Sequence, residues 1–288
     1  MEIHNIQEYI DIIENLREKY TYEVDHFCKD VIKPHFLYRG HSDHEKYKLE
    51  PQIMRMKQTQ YGQITKFSQL EYNILCDFIC EARSFETNIR DDDIQGWLEL
   101  SQHYGAPTRL LDITENPMVA LYFACRSMSD SMASVWIINE KSYLKKYWDD
   151  GRVVNLTIDS QQVVRDIIYR EIVLLGKQKP LDCPEHHYPW IYKPLYRDER
   201  MKLQSSMFMI WGSKPVALND IIEKSDYMNL DSSEEVEKGK GILFAITIPP
   251  EKKKDILEQL DMLGINEKYI YPGLEGVGKT IAKKYSSR

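Results

Sequence analysis

Residues 97–126 read WLELSQHYGAPTRLLDITENPMVALYFACR, and how this stretch folds decides the rest of the chain. Its pattern predicts two helices joined by a polar, sharply turned hinge. The first, carrying Leu98 and Leu100, breaks at Gly105-Ala106-Pro107, because proline has no N–H to donate and disfavours helix in the residue before it. The second starts at Asn116-Pro117, with Asn116 as N-cap and Pro117 in the first helical position. Met118, Leu121, Tyr122 and Cys125 then recur at three- and four-residue spacing, a stripe suited to burial. The hinge between them, residues 102–112, gathers Gln102, His103, Tyr104, Thr108, Arg109 and Asp112. So many hydrogen-bonding side chains between apolar helices are costly to bury without partners. Either they satisfy one another as a structural network or they face a ligand, and the hinge alone leaves both readings open.

The whole chain has 288 residues, enough for one large domain or two small ones at about 100–200 residues each. Its 42% hydrophobic and 29% charged residues are those of an ordinary soluble globular protein. A net charge of −7 argues against a dedicated duplex-DNA surface, though not against a local basic groove. The five cysteines include no CxxC pair, so neither a zinc site nor a thioredoxin-like motif is supported. Cys76 and Cys80 lie one helical turn apart beside Leu75 and Ile79 and read as small core residues. The charged opening MEIHNIQEYI and the lack of a long apolar run predict a cytoplasmic protein with no membrane segment.

Before the hinge, residues 3–20 carry Ile3, Ile6, Ile10, Ile13 and Leu16 at helical spacing. HFLYRG (35–40) follows as a short strand ending in Arg39-Gly40, where glycine lets a backbone or a ligand come close. A surface arginine before a turn is the plain alternative. Residues 66–84 predict a strong helix on which Glu71 borders the apolar stripe, as a solvated edge charge or as a carboxylate turned inward. Asp91-Asp92-Asp93 suits a helix N-terminus better than a metal.

After the hinge, ASVWIIN (133–139) is the clearest buried strand. GRVVNLTI (151–158) is a second candidate, and residues 162–175 fit a helix or a helix–strand pair. Four prolines make 179–195 a loop, in which Glu185-His186-His187 lacks a third ligand for a metal. Residues 200–212 read as a strand, GILFAITIP (241–249) as a final core strand, and 251–263 as a closing helix. The acidic stretch 229–241 predicts an exposed loop. GLEGVGKT (273–280) matches the phosphate-loop pattern letter for letter. It lacks the buried strand before it and the sheet after it that such a loop needs, so a turn leading into a short final helix is expected.

No domain boundary stands out, and the order of elements predicts one α+β domain over 1–288. It has a helical lead-in over 1–34 and a core over 35–275. The helical N-terminal part would pack on a mixed, mainly antiparallel sheet.

Several of these stretches together resemble the FRG domain family. They are Tyr38-Arg39-Gly40, the later Leu49-Glu50-Pro51 and Arg55, the helix with Glu71, and the run from Gln102 through Asp112 to Ala124. A later R-x-x-x-Q-x-G-x-F signature is met by Arg200, Gln204 and Phe208, with Ser206 in place of glycine. Gly264-Ile265-Asn266-Glu267 and Tyr271-Pro272 meet its closing pattern. The resemblance implies a bacterial or phage-borne protein of the defence or toxin type, with a possible phage or host partner.

A second resemblance, in the order of parts, is to ADP-ribosyltransferases. There an [YF]-R-G strand holds NAD, a hydroxyl-bearing strand and an A-x-x-[FY] helix follow, and a later strand bears a glutamate. That likeness implies NAD as co-substrate, with no metal. The binding residues would be Tyr38, Arg39, Gly40, His103, Thr108, Arg109, Asp112 and Gln204, and the catalytic ones Glu71, Arg39 and His103. An arginine fork suits a pyrophosphate, and a carboxylate is needed to stabilise an oxocarbenium-like ribosyl cation. Gln204 stands where that carboxylate is expected, so Glu71, Glu199 or Asp112 would have to supply the charge. A non-enzymatic sensing module is the alternative.

Overall fold

The apolar runs FLYRGH, LLDIT, ASVWIIN, SMFMI and LFAITI, joined by the short WIY, become the strands of one sheet in the computed structural model. The structure describes residues 1–23, 31–56, 64–86, 88–127, 129–148, 160–177, 186–197, 199–227 and 241–286. In chain order these are α1 (Ile6–Lys19), β1 (Tyr22–Glu23), β2 (Val31–Ile32), β3 (Phe36–His41), α2 (Gln52–Arg55), α3 (Ile64–Ala82) and α4 (Ile94–His103). Then come β4 (Leu110–Thr114), α5 (Pro117–Cys125), β5 (Ala133–Asn139), α6 (Glu140–Trp148), α7 (Ser160–Ile167) and a π-helix (Ile168–Leu174). The chain continues through β6 (Trp190–Tyr192), α8 (Glu199–Leu203), β7 (Ser206–Ile210), α9 (Leu218–Ile221) and β8 (Leu243–Ile248). It ends in α10 (Lys253–Met262), α11 (Glu267–Ile270) and α12 (Leu274–Ser286). No helix among the described residues is long and apolar enough to cross a membrane. The expected strand 151–158, the exposed loop 229–240, and Cys28, Cys183 and Glu185 lie outside the described residues.

The sheet runs β6-β7-β4-β3-β5-β8, with every neighbouring pair antiparallel. The fold is α+β, as its sequence predicts. Period-two alternation divides each strand between two faces. On one face Leu37, Leu111, Ile113, Trp136, Ile138 and Met209 share a core with Tyr143 of α6 and Leu218 of α9. The opposite face carries two separate apolar clusters. One joins Tyr38, Val135, Ile137 and Ile246 to α1, α5 and α10. The other joins Leu110, Tyr192, Phe208 and Ile210 to α3, α4 and α7. Between the two clusters the strands present Gly40, Asp112, Thr114 and Ser206, which are small or polar.

Two expectations are corrected. The hinge does not join helix directly to helix, because β4 lies inside it as a central strand paired to β7 and β3. Leu110 and Thr114 go to one face and Leu111 and Ile113 to the other, an alternation hidden by the leucine doublet and the interrupting aspartate. Residues 200–212 are not one strand either. Their first part completes α8, and Ser205, at φ 46, turns the chain into β7. The phosphate-loop letters fall within and just before α12, where Thr280 Oγ1 donates back to Gly276 O at 2.8 Å. A Cβ on Gly276 would lie 2.0 Å from the Tyr271 carbonyl, so this glycine serves packing. The three aspartates at 91–93 are used locally: Asp91 and Asp92 pair with Arg83 and Arg90, and Asp93 caps α4.

Candidate functional site

β3 and β4 pair through the single register Tyr38↔Thr114, after which the two strands part. A main-chain carbonyl at the parting needs another donor. Arg39 supplies it: Nη1 donates to the Asp112 carbonyl at 2.6 Å and lies 3.6 Å from Asp112 Oδ2. On its other side β3 is held by α5. A Cβ on Gly40 would sit 2.0 Å from Ala120 O and 2.7 Å from Ala124 N, so only glycine allows this helix backbone so close. Asn116 caps α5, its side chain accepting from Met118 N at 2.9 Å.

A pocket of about 440 Å³ opens in this split, within the range of small-molecule sites. Arg39, Arg55, Arg126 and Arg200 line it with His41 and His103. Tyr47, Phe123 and Phe208 add aromatic surface, and Gln102, Thr114 and Gln204 add polar groups. Its one carboxylate among the described lining residues is Asp112, half exposed.

Hydrogen bonds fix that carboxylate. Thr108 Oγ1 donates to Gln102 Oε1 at 2.6 Å, which turns the amide so that Nε2 donates to Asp112 Oδ2 at 2.7 Å. Burial draws the Arg39 guanidinium down from its ordinary pKa, while Asp112 favours its charge. Burial, with Arg39 and Arg55 nearby, lowers His41 to about 3, so its ring is neutral at physiological pH. Tyr38 is pushed up to about 12 by burial. Among the described residues, Arg39 Nε, His41 Nδ1 and the Tyr38 hydroxyl are buried without a hydrogen-bond partner.

The structure divides the residues expected from sequence. Tyr38, Arg39, Gly40, His103, Asp112 and Gln204 come together at the pocket. Gln204 also ties down the C-terminal segment, its Nε2 donating to Ile270 O at 2.9 Å. Glu71, Thr108 and Arg109 lie outside the pocket lining, with Glu71 and Arg109 in a separate buried cluster. Arg109 Nε donates to Glu71 Oε2 at 2.6 Å and its backbone N–H to Glu71 Oε1 at 2.7 Å. Glu171 on the π-helix lies 3.7 Å from Arg109 Nη1 and pairs with Arg170. Glu199 is an exposed first-turn residue of α8 that does not line the pocket. No group of three or more potential metal ligands occurs among the described residues.

His41, Arg55, Arg126 and Arg200 were missing from the expected site. Three of them carried a signal: Arg55 belongs to the FRG resemblance, Arg126 closes the stretch 97–126, and Arg200 opens the R-x-x-x-Q spacing that ends at Gln204. His41 directly follows the Tyr-Arg-Gly motif.

Residues 34–133 match the family model of the FRG domain. The match takes in β3, α2 to α5 and the start of β5, and thus one side of the pocket. The chain therefore carries an FRG domain over these residues. No curated protein and no solved structure matches it in the corresponding comparisons.

Proposed function

We propose that the pocket binds the phosphates of a nucleotide, with NAD the best candidate, and that the protein cleaves NAD at the nicotinamide–ribose bond. One observation carries this reading: among the described residues, four arginines line a pocket that holds one carboxylate. Such an excess of fixed guanidinium charge suits a pyrophosphate, which arginine forks bind in bidentate fashion. Arg39 Nε and His41 Nδ1, buried and unpartnered, offer further polar contacts. Tyr47, Phe123 and Phe208 offer surface for a base.

Asp112 takes the carboxylate role in preference to Glu71, whose oxygens both accept from Arg109 away from the pocket. Its negative charge would stabilise the ribosyl cation as the glycosidic bond breaks. Nicotinamide leaves, and water or a nucleophile on a target takes the ADP-ribose. The toxin or phage-defence role follows from this chemistry, which would deplete NAD or mark a target in the host cell.

Nicotinamide release from NAD tests the reading. Asp112→Asn should lower release by about 100-fold or more while NAD still binds, as expected when a charge acting at the transition state is lost. Release unchanged in this variant removes Asp112 from the role. A second reading, a sensing module that binds without chemistry, draws on the partners the Asp112 carboxylate already has, a hydrogen bond from Gln102 at 2.7 Å and an ion pair with Arg39 at 3.6 Å from Oδ2. It predicts that NAD raises the melting temperature by mass action with no nicotinamide released.

A further inference from the structure

Tyr271, just after α11, is only 5% exposed and holds two of the four pocket arginines. Arg126 Nη1 donates to its hydroxyl. The Arg200 guanidinium lies 4.8 Å from its ring centroid, and Lys279 Nζ of α12 lies 3.4 Å from the same centroid. The segment carrying Tyr271 is fixed against the turn before β7. Gln204 Nε2 donates to Ile270 O, and the Tyr269 hydroxyl to Leu203 O, both at 2.9 Å.

Among the described residues, neither Arg126 nor Arg200 has a carboxylate at ion-pair distance. A tyrosine holds a guanidinium through its ring face and hydroxyl oxygen without cancelling its charge. A carboxylate in that place would compete with an anionic ligand for both arginines. The ring therefore orients two cations without an ion pair of their own; Glu275, which feels Arg200 at longer range, is paired with Lys279 at 2.7 Å.

We propose that Tyr271 is a positioning residue that presents Arg126 and Arg200 to the phosphates of the bound ligand, so that the C-terminal segment sets the pocket's affinity for phosphorylated molecules. This rests on the reading that the pocket holds phosphates. Tyr271→Phe removes the hydroxyl and keeps the ring, and Tyr271→Ala removes both.

The probes are inorganic pyrophosphate and NAD, titrated into the full chain at several salt concentrations. Tyr271→Phe should weaken both by about 3-fold and Tyr271→Ala by about 10-fold or more, the scale of one hydrogen bond and of that bond plus cation–π contacts. The salt dependence of binding should also become shallower, because fewer charges engage the ligand. A merely structural tyrosine would lower the melting temperature and leave the salt dependence as in the wild type, which overturns the proposal. Wild-type affinity in both variants overturns it too. Arg39→Ala separates the two levels. If it weakens binding and the Tyr271 variants do not, the positioning role alone falls. If the wild type binds neither probe, the phosphate reading falls and takes this proposal with it.

Discussion

Two arginine–carboxylate pairs lie close together in this fold, and they are built differently. Arg109 and Glu71 are 0% and 1% exposed, joined through two hydrogen bonds. Arg170 and Glu171 adjoin them, so that among the described residues each of these buried arginines meets a carboxylate. Arg39 and Asp112 are 27% and 51% exposed, and their closest contact uses the Asp112 carbonyl. Around them stand three more arginines and no second acid among the described lining residues. A buried cluster must balance its charges, because each desolvated ion is expensive unless paired. A site can leave charge uncompensated, because water screens it until a ligand arrives. Charge balance, more than the presence of an arginine, separates framework from pocket here.

The strongest way to break that contrast is to remove each arginine in turn. Arg109→Ala leaves Glu71 buried without its partner and should cost about 3–5 kcal/mol, a large share of the roughly 5–15 kcal/mol that holds a protein folded. Arg39→Ala loses a hydrogen bond to the Asp112 carbonyl and a partly exposed ion pair, and should cost less, about 1–2 kcal/mol. Chemical denaturation reads both, and equal losses would erase the distinction.

A smaller effect belongs to Glu99, on the closed side of α4. Burial raises its carboxyl to about 7, against donors from Gln95 and Tyr192. The folded state therefore prefers Glu99 neutral, whereas the unfolded chain ionises it near 4.5. Below both values the group is neutral in either state and costs nothing. As pH rises from 4.5 towards 7 the folded state is progressively penalised, by about 3 kcal/mol in all. Glu99→Gln should flatten that part of the stability profile, measured by denaturation across pH. A profile unchanged by the substitution would mean that the carboxyl is not held neutral by burial.

Much of this was legible in the sequence, for reasons that differ by residue. The Asn116-Pro117 start of α5 was readable because capping is local. Arg39 and Gly40 stood out as a motif, and the structure supplies the cause in the parting of β3 from β4 and the close approach of α5. The strand β4 was not readable, since its hydrogen bonds go to β7 and β3, and β7 lies about ninety residues onward. Nor could sequence sort Arg109 from Arg39. Glu71 and Arg109 are thirty-eight residues apart, and the direction in which each side chain leaves its backbone is set by packing. The same is true of Tyr271, whose two arginines come from α8 and the end of α5.

The central claim is that the uncompensated arginines of the split between β3 and β4 hold a pyrophosphate. Calorimetric titration of NAD into the wild type and Arg39→Ala, at low and at high salt, tests it most directly. The account predicts wild-type binding that weakens as salt rises, and a loss of about tenfold or more, roughly 1.4 kcal/mol, in Arg39→Ala, whose melting temperature falls less than that of Arg109→Ala. No binding by the wild type at low salt, or equal binding by both proteins, would contradict it.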